Sequence, residues 1–94
     1  MVTWVGKLFG EDLSKNIAEV KFSGKPVTDA GLANLRGLTQ LQELDLDSTE
    51  VTGVGLEHLW GLTQLEYLYL SDTKVTATGI AELQKALPNV QITR

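Results

Sequence analysis

The side chains best suited to chemistry cluster in one short string, Glu43-Leu44-Asp45-Leu46-Asp47-Ser48-Thr49. Carboxylates at every second residue of an extended segment project from one face. Glu43, Asp45 and Asp47 could therefore share a weakly held cation. As a calcium loop the string fails twice. Counting from Asp45, Glu50 fills the sixth position, where the turn needs glycine, and Leu56 the twelfth, where a bidentate acid belongs. The sole histidine, His58, has no Ser or Asp spaced to complete a nucleophile–base pair and reads as a solvated helix residue. The nine glycines are scattered rather than gathered into a phosphate-cradling loop. Without cysteine there is no disulfide, thiolate ligand or thiol nucleophile. No catalytic residue, dedicated metal site or cofactor is expected.

Whatever these residues do, a single small domain must hold them. The chain has 94 residues, 43% of them hydrophobic, with no Pro/Ser/Gly-rich linker dividing it. A two-domain enzyme is excluded by length. A formal charge of -4 argues against a nucleic-acid partner, which would favour a basic surface. No stretch approaches the ~18–20 continuous apolar residues that cross a bilayer, so no membrane partner is expected. Met1–Gly10 lacks a basic leader and does not read as a signal peptide. The compartment is left open.

Self-similarity organises the rest. Segments 38–61 and 62–85 are identical at 11 of 24 positions without a gap, and segment 14–37 shares seven with the former. Ile17, Val20, Phe22, Val27, Leu32 and Leu35 return as Leu41, Leu44, Leu46, Val51, Leu56 and Leu59, then as Leu65, Leu68, Leu70, Val75, Ile80 and Leu83. Leu44-x-Leu46 and Leu68-x-Leu70 alternate as half-buried strands do, whereas Leu56-x-x-Leu59 and Ile80-x-x-Leu83 have helical spacing. Thr28, Thr52 and Thr76 stand at N-cap positions. Gly31, Gly55 and Gly79 follow early in each helix, where propensity alone disfavours them by roughly 1 kcal/mol; close approach of helix to strand is the expected reason. Twenty-four residues suits a stacked coil better than a βαβ unit, which takes about 30 or more.

The pattern L-x-x-L-x-L-x-x-T-x-V-T-x-x-G-L-x-x-L over residues 17–92 resembles the leucine-rich repeat family. The string Val27-Thr28-Asp29-Ala30-Gly31-Leu32 resembles its helix-bearing subclass, typified by ribonuclease inhibitor and cysteine-containing repeats, with Thr49 and Thr73 at the Asn/Cys position and Lys25 departing from it. The resemblance implies an α/β fold, a right-handed solenoid with a short parallel sheet on the concave side and helices on the convex side. On this reading residues 1–94 form one domain. Residues 1–16 are a capping helix, 17–40, 41–64 and 65–88 the repeats, and 89–94 a terminal strand after Pro88 stops the last helix. The edge formed by Val90-Gln91-Ile92-Thr93 is a candidate for self-association.

A second resemblance is local. Asp45-Leu46-Asp47-Ser48-Thr49 resembles the D-x-D-x-T nucleophile loop of haloacid-dehalogenase-type phosphatases, which implies a magnesium-dependent phosphatase acting through Asp45 and Asp47. The matching positions of the next unit are Tyr69, Ser71 and Thr73, so the repeat already accounts for the spacing. The chain also has no room for the larger domain of that family.

If the leucines point inward, Glu43, Asp45 and Asp47 point outward beside Tyr67, Tyr69 and Ser71 on the next strand, flanked by Glu19, Lys21, Ser23, Gln91 and Thr93. Acids beside tyrosines suit a partner-binding row. Five acids, Glu43, Asp45, Asp47, Glu50 and Glu57, make 38–61 the acidic part of the chain. A protein or peptide partner with a basic segment is therefore expected. Trp60 falls at the position of Arg36 and Gln84, on the convex side, as a secondary contact. The expected function is a non-catalytic protein- or peptide-binding module; the alternative is a structural or designed minimal scaffold with no ligand of its own.

Overall fold

The computed structural model describes residues 16–94. The capping helix expected within residues 1–16 lies outside the described residues. Four three-residue strands, β1 (Glu19–Lys21), β2 (Glu43–Asp45), β3 (Tyr67–Tyr69) and β4 (Gln91–Thr93), form one parallel sheet in the order β1-β2-β3-β4. Each strand pairs with its successor one repeat further on, so Val20, Leu44, Leu68 and Ile92 align across the sheet. This is an α/β repeat fold. No helix among the described residues is long and apolar enough to cross a membrane.

Between strands the chain crosses through helical segments: α1 (Asp29–Leu32), α2 (Gly53–Leu56) and α3 (Ala77–Ala86). The first two continue into single 3-10 turns, Ala33–Leu35 and Glu57–Leu59, while α3 runs for ten residues. Sequence explains the difference. Gly37 and Gly61 follow the short helices, but Lys85 and Ala86 take the corresponding place in the last unit and carry the helix on. Leu87 then ends it at φ -128°, as the residue before proline should, since Pro88 disfavours helical backbone there.

The threonines occupy the three N-cap positions in extended conformation, but they do not act alike. Thr52 accepts from the Val54 N–H and Thr76 from the Gly79 N–H, whereas Thr28 makes no side-chain cap bond. The turn after each strand repeats more closely. Gly24, Ser48 and Asp72, spaced by 24, all adopt left-handed backbone at φ 74°, 56° and 58°. Thr49 and Thr73 close their turns by donating to the Leu46 and Leu70 carbonyls at 2.7 and 2.8 Å. In the first unit, where Lys25 replaces threonine, the Lys25 backbone N–H bonds the Phe22 carbonyl at 2.9 Å. The departure in sequence is absorbed by the backbone.

The core is a leucine stack. Leu32, Leu35, Leu38, Leu41, Leu44 and Leu46 are almost completely buried, as are Leu56, Leu59, Leu62, Leu68, Leu70 and Leu83. Full burial of such a side chain contributes roughly 1.5–3 kcal/mol. The glycines serve this stacking differently from the expectation of helix against strand. A Cβ on Gly55 would sit 3.0 Å from the Asp29 Cα, and one on Gly79 would sit 2.8 Å from the Gly53 Cα. Both contacts join the start of one helix to the start of the preceding one. Gly31 meets only Val27 at 3.8 Å and Thr28 at 4.0 Å. The close approach is helix to helix, coil to coil.

Candidate functional site

The sheet has one buried face and one solvent-facing row on each side of it in the strand alternation. Its register sets Glu19, Glu43, Tyr67 and Gln91 side by side, and beyond the buried row Lys21, Asp45, Tyr69 and Thr93. Glu43, Asp45 and Tyr69 are half-buried, and Tyr67 is 40% exposed. The solvent face therefore carries an acidic strand directly against a two-tyrosine strand. The leucines of the alternating pattern force this, because a one-residue slip would exchange the two faces.

Asp47 and Ser71 occupy a different place. They lie beyond the strand ends, in the turns, and are joined to each other: the Ser71 N–H donates to Asp47 Oδ1 at 2.7 Å. Asp45 Oδ1 in turn accepts the Asp47 N–H at 3.0 Å. Each aspartate thus commits one carboxylate oxygen to the backbone, and Asp47 ties its coil to the next. Of the six residues expected at the site, four are in the paired strands and two are in the turns that fix them.

Charge on this face is concentrated at its acidic side. Lys21 Nζ is 3.7 Å from Glu19 Oε2. The Glu43 carboxyl is held above the ordinary carboxylate range, mainly by a hydrogen bond with Glu19, then by burial and by the Glu19 charge, with Lys21 pulling the other way. Tyr69 is also pushed up, first by burial and then by the charge of Glu43. Burial and neighbouring acids both disfavour the charged form of these groups, and Lys21 only partly offsets them. At the same edge Ala18, Glu19, Gln42, Glu43, Glu66 and Tyr67 line a hollow of about 240 Å³. Glu66 and Gln42 were not among the residues expected at the site. They precede their strands by one position, and only the aligned register brings them to the hollow.

The remaining candidates lie on the helical side. Trp60 follows the 3-10 turn Glu57–Leu59 and is 39% exposed. His58 has an arginine partner: Arg36 Nε and Nη2 lie 2.9 and 2.6 Å from His58 Nδ1. Guanidinium only donates, so Nδ1 is the acceptor of this pair. No group of three or more His, Asp or Glu among the described residues is arranged to hold a metal ion.

A short parallel sheet built from 24-residue coils with a leucine core defines a repeat protein of the α/β class. The chain belongs to the leucine-rich repeat family: the family model described as leucine rich repeat matches residues 22–75. No curated protein matches the chain. Domains of this family are generally protein–protein interaction modules and typically non-enzymatic.

Proposed function

We propose that the chain is a non-catalytic binding module whose solvent-facing, concave sheet surface takes an extended, basic segment of a protein partner. The observation that carries this reading is the register Glu43↔Tyr67 and Asp45↔Tyr69, which sets carboxylates and phenol rings against one another. Tyrosine offers broad, fairly rigid contact area with a polar tip. The carboxylates supply charge for lysine or arginine, and a cation would relieve the crowding of Glu43 against Glu19. Asp47 and Ser71 support the site by holding the turns of the two strands together. Trp60 offers a secondary contact on the helical side.

The test is selection of binders from a random displayed peptide library, followed by titration of the best binder. Selected peptides should be enriched in Lys and Arg, and Tyr67→Ala with Tyr69→Ala should abolish binding while circular dichroism stays unchanged. Binders that are acidic, or that hold the double variant as tightly as the wild type, sink the assignment.

A further inference from the structure

The solvent face of the sheet differs along the length of its strands. The register makes two cross-strand rows, Glu19-Glu43-Tyr67-Gln91 and Lys21-Asp45-Tyr69-Thr93. The first row holds two carboxylates and no cation, the second one of each. Lys21 reaches back to Glu19 at 3.7 Å, but the two side chains are 65% and 51% exposed, and a pair so open to water contributes little. Among the described residues, no ion pair reaches Glu43 or Glu66. Glu66, one position ahead of Tyr67, adds a third carboxylate to the hollow of about 240 Å³ at the first row. The tyrosines differ in the same sense, Tyr67 being exposed and Tyr69 half-buried. In the second row Asp45 has already given Oδ1 to the Asp47 N–H. Unspent negative charge and open ring surface therefore lie together on the first row.

The backbone limits how a partner can use that row. β2 and β3 are each paired on both sides, so their ladder groups are taken and a partner is held by side chains. Neighbouring strands lie about 4.8 Å apart, which puts the midpoint of Glu19 and Glu43 roughly 7 Å from Tyr67 along the row. In an extended segment, side chains on one face recur every second residue, at about 6.7 Å. The two spacings agree.

We propose, building on the binding face proposed above, that the partner segment crosses the strands along the Glu19-Glu43-Tyr67 row and carries a Lys or Arg two residues from an aromatic side chain. The cation sits between Glu19 and Glu43, at the hollow that Glu66 also lines. The aromatic ring rests on Tyr67, where ring pairs gain beyond their buried area. A residue directly next to the cation faces away from the sheet and cannot reach Tyr67. Seating the cation also relieves the crowding that holds the Glu43 carboxyl above its ordinary range.

Three blocked pentapeptides, titrated into the isotopically labelled full chain and read by backbone amide shifts, test the spacing: Ser-Lys-Ser-Phe-Ser, its isomer Ser-Lys-Phe-Ser-Ser, and Ser-Lys-Ser-Ser-Ser. The first should bind about threefold or more tighter than the other two, with shifts centred on residues 19, 43 and 67. Tyr67→Ala should erase that preference and Tyr69→Ala should keep it, while Glu43→Gln should weaken all three peptides. Equal binding of the two isomers to the wild-type sheet face overturns the proposal and leaves the basic-segment reading standing, as does a preference that survives Tyr67→Ala. Peptides that bind without shifting any sheet residue, or do not bind at all, overturn both. The comparison of isomers on the wild-type chain needs no variant to fold.

Discussion

Asp29 holds the second coil with both carboxylate oxygens, accepting the Thr52 N–H at 2.7 Å and the Thr52 hydroxyl at 2.6 Å. Its place in the next coil is taken by Gly53, which instead packs against Gly79. The same joint is thus made once by a charged latch and once by bare backbone. Hydrogen bonds to a charged group contribute roughly 1.5–3 kcal/mol, so Asp29→Ala should lower stability by about that amount in a denaturant titration. Glu43 supplies a pH signature. Its folded-state pKa is raised by Glu19, so the folded chain keeps this proton to higher pH than the unfolded chain. The resulting stabilisation is fully present below the carboxylate pKa of the unfolded chain and is lost as pH rises through the raised one. The wild-type urea midpoint should therefore fall, on Glu43's account, as pH climbs out of the mildly acid range, and Glu43→Gln should flatten that slope.

At the scale of the element, the glycines show what sequence can and cannot carry. The 24-residue spacing, the strand alternation and the stop at Pro88 were legible because each is written in neighbouring residues. The partner of Gly55 was not, because Asp29 lies a full coil earlier and nothing local marks the contact. Glu66 escaped for the same reason: its place beside Glu19 and Glu43 exists only once three coils are stacked. The three equivalent glycines should respond differently to alanine. Gly79→Ala must push Gly53 away and should cost about 1–3 kcal/mol through overpacking, even though helix propensity gains roughly 1 kcal/mol. Gly31→Ala meets only ordinary contacts and should be neutral or stabilising. Thermal melts of the two variants check this directly, and equal losses would contradict the coil-to-coil account.

The whole molecule is a stack in which each coil leans on its neighbours, so stability is shared rather than local. Leu68 lies in the central layer, paired across the sheet with Leu44 and Ile92 and fully buried. Leu68→Ala should cost about 2–5 kcal/mol and should lower a single cooperative transition rather than split it. Against this rigid interior, the solvent face of the sheet concentrates acids on β2 and tyrosines on β3, with the Asp47–Ser71 bond fixing the turns beside them. The most direct measurement is a titration of isotopically labelled chain with a selected basic peptide, read by backbone amide shifts. Perturbations centred on residues 19–21, 43–45 and 67–69 are the predicted result. Shifts centred on Trp60 and the helical side, with those strands unmoved, would contradict the binding face proposed for this protein.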